Sequence, residues 1–333
     1  MRPPVQSEVS RIRYKIKSTI NSNDVQDLCV YVLVSTITYQ FSLYYVAGDQ
    51  VGYNDAYRAV RGIGPLAAFE LYQDFVSTLE FVHYSIVYIG SNLLIDKNLL
   101  FSLINGVFSV LIFRSLRGFN VSIFVSLFLI FTNYYVYVFY FAAERLKLAL
   151  LFLLFSAYLA RGGLSRTLCL TAAIMSHVSV MLLVSGAALN RLLIILKGWR
   201  HCSNWVLIEI LMFLSLLALM CIFFSDYILW KMYQYADDHN FTLGSSVPLV
   251  LLISASLYYS RDKGGVVLEF IPAVIAFAVL GGSRVNMFAY MIFLKHGLQY
   301  KRGVNWGVAV TSAYFAAKSV SFVRNVLETG QGF

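Results

Sequence analysis

Long apolar runs separated by short polar segments dominate the chain. They lie at about 27–47, 81–95, 99–113, 119–143, 145–160, 167–189, 205–225, 247–260, 265–281, 284–295 and 304–320. A helix that crosses the apolar core of a bilayer needs about 20 mostly apolar residues. The pattern therefore predicts an all-α polytopic membrane protein with roughly ten transmembrane helices, several of them broken or re-entrant.

We expect one integral membrane domain, 1–333, because the sequence contains neither an internal repeat nor a separate polar domain. Segment 1–26 carries five basic residues ahead of the first apolar run, so the positive-inside rule predicts a cytoplasmic N-terminal segment. Segment 48–80 is net acidic, and 226–246 is also polar. Both are predicted to be loops on the opposite, periplasmic face.

Two parts of this topology do not alternate simply. Residues 167–190 link two basic clusters that both fit the cytoplasmic side, which a single straight span cannot do. A break or re-entrant turn near His177 would resolve this conflict. In 81–118, Arg114 and Arg117 also fit the cytoplasmic side, whereas two crossings would put them outside. The sequence leaves that conflict open.

The composition agrees with the apolar pattern and excludes other classes of protein. Hydrophobic residues make up 59% of the chain and charged residues 13%, against roughly 25% charged in soluble domains. These figures exclude a disordered, collagen-like or coiled-coil chain. The formal net charge is +9, but the basic residues are scattered between apolar runs. No nucleic-acid partner is therefore expected.

Motifs for metal, nucleotide or hydrolase chemistry do not occur. The chain has no HExxH, GxxxxGK[ST] or GxSxG sequence, and its four cysteines form no CxxC pair. Asp237, Asp238 and His239 could bind a cation, but a solvated turn is the expected setting for them. The sequence therefore predicts neither a metal site nor a cofactor.

Two arginines next to apolar runs are candidate anion ligands. Arg145 follows Glu144 at the outer start of the run 145–160, where the helix dipole disfavours a cation. Arg284 follows Gly-Gly-Ser, so free N–H groups, a helix dipole and a guanidinium would meet there. The alternatives are a snorkelling Arg145 paired with Glu144, and a plain interfacial loop before Arg284.

Other polar residues suit a sugar substrate. His177 interrupts an apolar run, and an imidazole suits a general base or a hydrogen bond to phosphate. The outer segment holds Tyr53, Asp55 and Tyr57, and Glu80 follows later. Tyrosine rings can contact sugar C–H groups, and carboxylates can accept sugar hydroxyls. The alternatives are a structural histidine and a solvated loop.

The order of these elements is informative. Tyr-Asn-Asp-x-Tyr at 53–57 is followed by Glu80 at the start of an apolar stretch, then by an Arg before a Leu- and Ala-rich helix. A small-residue segment with His-x-Ser and a late Arg complete the order. Over roughly 30–300, this resembles the EpsG-type branch of the Wzy-like bacterial exopolysaccharide and O-antigen polymerases. Departures are Leu146, where the family often has Gln, and 81–83, where it has Pro-Gly-Tyr.

The resemblance implies a GT-C-like fold and an inverting, metal-independent glycosyltransferase in the bacterial inner (cytoplasmic) membrane, with its active site facing the periplasm. It would join undecaprenyl-pyrophosphate-linked oligosaccharide repeat units among membrane lipids. A chain-length regulator protein is a plausible further partner in this family. The candidate residues are His177 and Asp55 for catalysis, Arg145 and Arg284 for pyrophosphate, and Tyr53, Tyr57 and Glu80 for substrate.

Two other functions are compatible with the same residues. A lipid-linked oligosaccharide flippase also needs cationic groups in a cavity, although no inverted repeat is found and the charges gather at one face. An O-antigen ligase shares the leaving group and differs in its acceptor. The sequence does not separate the polymerase from the ligase.

Overall fold

The computed structural model describes residues 22–158, 163–197, 243–280 and 282–333, with six single positions between 215 and 229. Across these residues the chain forms 14 α-helices and two short 3-10 turns, Val178–Val180 and Tyr300–Gly303, and contains no β-strand. The all-α part of the prediction is confirmed.

The helices are α1 Ser22–Ser42, α2 Asp49–Ala59, α3 Pro65–Val76, α4 Phe81–Asn92, α5 Lys97–Gly118, α6 Ile123–Thr132, α7 Tyr134–Phe141, α8 Glu144–Tyr158, α9 Gly163–Ser176, α10 Met181–Lys197, α11 Leu243–Tyr259, α12 Lys263–Leu280, α13 Gly282–Gln299 and α14 Trp306–Thr329.

The apolar runs are divided into more and shorter helices than the sequence suggests. In the described residues, only α5 is by itself long and apolar enough to cross a bilayer, and α6 with α7 passes the same test as one span bent by 52°. Asn133 causes this bend, because its side-chain oxygen accepts the N–H of Tyr135 and starts a new helix. The expectation of roughly ten spans is not shown by these helices.

Helices α1 and α5 pack side by side in opposite directions. Gly106 in α5 lies against Tyr31 and Ser35 of α1, where a side chain would have no room. At one end of the pair, Asp27 accepts hydrogen bonds from Arg114 (2.7 Å) and Arg117 (2.6 Å). We call the end of the bundle that holds these three residues the basic end.

The opposite end of α5 begins at Lys97, and we call it the site end. Lys97 contacts Gln50 and Asn54 of α2 there. Helix α4 has 12 residues, about 18 Å at 1.5 Å per residue, and it stays near the site end. The chain between 81 and 118 therefore runs the length of the bundle once, in α5, and Arg114 and Arg117 share an end with the start of α1.

The helices are also interrupted at His177. A break here lets the two basic clusters linked by residues 167–190 lie at the same end of the bundle. Helix α8 ends at Tyr158, close to Gly118 at the basic end, and α9 returns from there to the site end. His177 has an extended backbone (φ −165°, ψ 118°). Helix α10 then runs back, and its Asn190 donates to Glu269 near Lys295.

The last helices complete the bundle. Tyr259 at the end of α11 accepts a hydrogen bond from the N–H of Gly307 at the start of α14. The carbonyl of Arg302 accepts from Ser122, so this turn lies at the basic end. Helix α14 ends at the site end, where the carbonyl of Gly330 accepts from Val46.

The segment 48–80, predicted to be a periplasmic loop, contains the helices α2 and α3. Pro65 starts α3, since its fixed φ suits the first turn of a helix. Apolar residues of α2 and α3 form a small core with α4 and α5, and this packing accounts for the helical structure of the segment. This core consists of Ala56, Tyr57, Val60, Ala68, Tyr72, Tyr84, Val87 and Phe101.

We predict that Gly106→Val separates α1 from α5. A Cβ at this position would lie 2.2 Å from Ser35 Oγ and 2.7 Å from a Tyr31 ring carbon. Overpacking of this kind costs about 1–3 kcal/mol, so the midpoint of thermal unfolding should fall. Gly64→Ala is the matched control, because no atom lies within 4 Å of its added Cβ. Equal midpoints for both variants would contradict the packing described.

Candidate functional site

Four residues singled out by the sequence lie together at the site end. Arg145 donates from Nε to Tyr53 Oη (3.0 Å) and from Nη1 to Glu80 Oε2 (2.8 Å). The other carboxylate oxygen of Glu80 lies 3.2 Å from His177 Nδ1. Glu80 therefore holds the arginine with one oxygen and the histidine with the other.

Three of these side chains come from the ends of helices. Glu80 is the N-cap residue of α4, and Arg145 is the second residue of α8. His177 occupies the break between α9 and the 3-10 turn that follows. Residues far apart in the sequence can meet in this way because the breaks in several apolar runs all fall at the same end of the bundle.

His177 Nδ1 has two polar neighbours. It accepts the N–H of Ser179 at 3.4 Å, and the Glu80 carboxylate lies 3.2 Å from it. A neutral ring that accepts from Ser179 carries its proton on Nε2, whereas a ring that donates from Nδ1 to Glu80 has its lone pair on Nε2. In the second tautomer Nε2 can accept a proton from a substrate hydroxyl.

Two of the three guanidinium nitrogens of Arg145 make the hydrogen bonds described above. Its two hydrogen bonds use Nε and Nη1, so neither involves the donors of Nη2. Its guanidinium carbon lies 5.9 Å from the centroid of the Tyr53 ring. Burial raises the pKa of Tyr53, so the phenol stays protonated. Its O–H can then donate to the same ligand while the oxygen accepts from Arg145.

A second group of polar residues surrounds the buried carboxylate of Glu144. Oε1 accepts from Gln50 Nε2 (2.9 Å) and lies 3.4 Å from Lys97 Nζ. Oε2 lies 3.3 Å from His83 Nε2. Lys97 also donates to Gln50 Oε1 at 2.6 Å. Glu144 thus connects α2, α4, α5 and α8 through hydrogen bonds and ion pairs.

His83 and Tyr72 extend this network. His83 is fully buried, and burial lowers its pKa, so the ring is neutral. Tyr72 is also buried, and burial raises the pKa of its phenol. The phenol therefore donates to His83 Nδ1 (2.7 Å), and His83 Nε2 donates to Glu144.

The site carries an excess of positive charge. Lys147, fully buried on the same side of α8 as Glu144, donates to Asn105 Oδ1 (2.7 Å). Apart from the two imidazoles, three basic side chains (Lys97, Arg145 and Lys147) lie among two carboxylates (Glu80 and Glu144). One unmatched positive charge in a poorly solvated site favours an anionic ligand.

The other three sequence-predicted residues are not described in contact with this group. Tyr57 is buried in the small core, and its Oη donates to the carbonyl of Ile95. Asp55 lies on another side of α2, because two residues turn a helix by about 200°. Arg284 lies in the first turn of α13, but its side chain is outside the part of the chain that is described. Asp237, Asp238 and His239 also lie outside the described part of the chain.

Sequence reasoning gave no site role to Gln50, His83, Lys97, Glu144 or Lys147. A signal was present in part. The residues 50, 53, 54 and 57 recur at helical spacing and give α2 one polar, aromatic side. Likewise, Glu144 and Lys147 are three residues apart and share a face that Arg145 does not.

Within the described residues, no group of three His, Cys, Asp or Glu side chains could hold a metal ion. Comparison with known proteins also gives no match: no protein-family profile matches the chain, and no curated protein or solved structure is significantly similar. Interpretation of the site therefore depends on its own geometry and charge.

We predict that Glu144→Gln is strongly destabilising. The amide keeps the shape of the side chain but leaves Lys97 without its carboxylate in a buried place. Removing one partner of a buried pair typically costs about 3–5 kcal/mol, to be measured by thermal unfolding. The control Glu328→Gln breaks the exposed pair with Arg324 and should change stability by less than about 1 kcal/mol. Similar losses in both variants would contradict a buried role for Glu144.

Proposed function

We propose that this chain is a multi-span membrane glycosyltransferase of the bacterial inner membrane. It would join undecaprenyl-pyrophosphate-linked oligosaccharide repeat units into O-antigen or exopolysaccharide, by an inverting and metal-independent reaction. The observation that carries the proposal is the convergence of Tyr53, Glu80, Arg145 and His177 at one end of the bundle. An anion-binding arginine and a carboxylate-oriented histidine are the two groups that this transfer requires.

Exposed apolar residues support a membrane location. Large aliphatic and aromatic side chains on the outward faces of several helices are more than a third exposed, which a water-soluble protein rarely tolerates over a wide area. They include Leu28, Val32 and Leu33 on α1, Leu103 and Val107 on α5, Val267, Val274 and Ile275 on α12, and Val310, Tyr314 and Val320 on α14. Contact with lipid would remove this surface from water.

The two ends of the bundle support the orientation. Arg114 and Arg117 lie at the basic end, as do the turns that contain Lys263, Lys301 and Arg302. The positive-inside rule assigns such an end to the cytoplasm. The candidate site then faces the periplasm, where the lipid-linked repeat units would be polymerised.

The geometry suggests how each group contributes. His177 Nε2 takes the proton of an acceptor hydroxyl as its oxygen attacks the anomeric carbon of the growing chain. The bond from that carbon to the pyrophosphate oxygen breaks with inversion, and undecaprenyl pyrophosphate leaves. Arg145 Nη2 and the Tyr53 O–H donate to the leaving oxygens, whose negative charge grows during the step.

Glu80 has a different role in this proposal from the sugar binding expected of it. Its carboxylate is only 4% exposed and already contacts both Arg145 and His177. It would orient the imidazole and stabilise the imidazolium that forms, as carboxylates do for catalytic histidines. We therefore propose Glu80 as a positioning residue. Arg284 stays a proposed second pyrophosphate ligand.

Deletion and complementation test the function. Deleting the gene and running surface polysaccharide on a gel should remove the ladder while single repeat units still cap lipid A. Loss of all repeat units would instead indicate a ligase or a flippase. A normal ladder after deletion would overturn the proposal.

Site variants in the complemented strain test the residue roles. His177→Ala should abolish the ladder at normal protein level, because the proton acceptor is gone. Arg145→Ala should slow transfer by about 10²–10³-fold, and Arg145→Lys should rescue only partly, since an ammonium lacks the planar fork. Arg324→Ala is the control, because this exposed arginine pairs only with Glu328 among the described residues. A normal ladder with His177→Ala would return that residue to a structural role.

We also predict that polymerisation in isolated membranes survives EDTA. The charge that grows on the pyrophosphate would be met by Arg145 and by the positive excess of the site. The assay is incorporation of lipid-linked repeat units with and without EDTA, at equal protein level. A strict requirement for added Mg²⁺ or Mn²⁺ would contradict metal-independent transfer.

A further inference from the structure

A groove at the basic end is not used by the proposed reaction. It lies between the start of α6, the end of α11 and the start of α14, and its volume is about 730 Å³. This is within the range of ligand-binding pockets, roughly 300–1,000 Å³. Its walls are rich in aromatic rings: Phe124, Phe128, Tyr258, Tyr259, Tyr300 and Trp306.

Three of these rings are unusually exposed. Phe124 and Trp306 are each 82% exposed and Tyr258 is 80% exposed. Aromatic side chains, tryptophan and tyrosine above all, gather where a membrane protein meets the boundary between acyl chains and headgroups. Their position at the basic end is the depth at which such a belt is expected, given the proposed orientation.

Lys301 lines the groove, and the next residue, Arg302, belongs to the same fixed turn. Lys301 (φ 49°) and Arg302 (φ 57°) are consecutive non-glycine residues in the left-handed region, and Gly303 follows at φ 81°. The carbonyl of Arg302 accepts from Ser122 (3.1 Å), and the carbonyl of Lys301 accepts from Val304 (3.0 Å). The turn is thereby held in a conformation that most side chains avoid.

Within the part of the chain that the structure describes, no carboxylate matches the charges of this turn. Both side chains are exposed, and no carboxylate among the described residues forms an ion pair with either. Lys301 Nζ lies 5.5 Å from the centroid of the Tyr300 ring, on the wall of the groove. An apolar groove lined by Lys301 and adjoined by Arg302, neither in an ion pair with any described residue, is complementary to a molecule with an acyl chain and an anionic head.

We infer that this groove binds an anionic phospholipid of the inner leaflet. An acyl chain would lie against the rings of Phe124, Phe128 and Trp306, and the phosphate would contact Lys301 and Arg302. The inference rests on the membrane location in the proposed function, but on neither the glycan substrate nor the catalytic residues.

Quenching of Trp306 fluorescence tests this inference. The full chain is reconstituted in vesicles that contain brominated phosphatidylglycerol or brominated phosphatidylcholine, with and without Trp306→Phe, so that the difference isolates this ring from the other three tryptophans. Half-maximal quenching should need a mole fraction of the anionic lipid about fivefold lower than that of the zwitterionic lipid. Lys301→Gln with Arg302→Gln should abolish this preference.

Two further variants make the outcome specific. Lys301→Arg with Arg302→Lys keeps both charges and should keep the preference. Arg261→Gln with Lys263→Gln removes two charges from a neighbouring turn at the same end and should also keep it. Equal quenching by both lipids, quenching by neither, or a preference that survives loss of Lys301 and Arg302 would overturn the inference. Because quenching needs no glycan, the polysaccharide gel can fail or succeed independently of this result.

Discussion

The buried carboxylate of Glu144 is the centre of the site end of this molecule. It accepts hydrogen bonds or ion pairs from Gln50, Lys97 and His83, which lie on three other helices. An unmatched carboxylate in this position would cost several kcal/mol, and so would an unmatched Lys97. The relative placement of α2, α4, α5 and α8 therefore depends on all of these contacts being made together.

The active groups of the proposed site depend on that placement. Arg145 directly follows Glu144 and turns about 100° away from it, toward Tyr53 and Glu80. Glu144 thus points into the bundle and fixes the start of α8, while the side chain of Arg145 is only partly exposed. A buried network in which each charged group has a partner can fix the start of a helix. It then holds the guanidinium of a less buried arginine on that helix in position without contacting it.

The breaks in the helices bring the site together. Glu80 and Arg145 lie near the starts of helices, and His177 lies in an interruption of one. A helix end leaves backbone groups and side-chain directions that a continuous helix does not offer. Breaks that shorten most helices below the length of a simple span thus place polar residues of α4, α8 and the turn after α9 at the same end.

The sequence by itself determined the helical class, the apolar character and several of the polar residues that meet at the site. Periodicity and composition are local properties, and the pairing of Arg145 with Glu80 could not be read from either. In the sequence, the carboxylate next to Arg145 belongs to Glu144 and not to Glu80. Adjacent residues on a helix, however, face different directions. Only the tertiary structure decided that α4 stays at one end and that Lys97 meets Glu144. These results follow from packing between segments 40 to 100 residues apart, which no local pattern encodes.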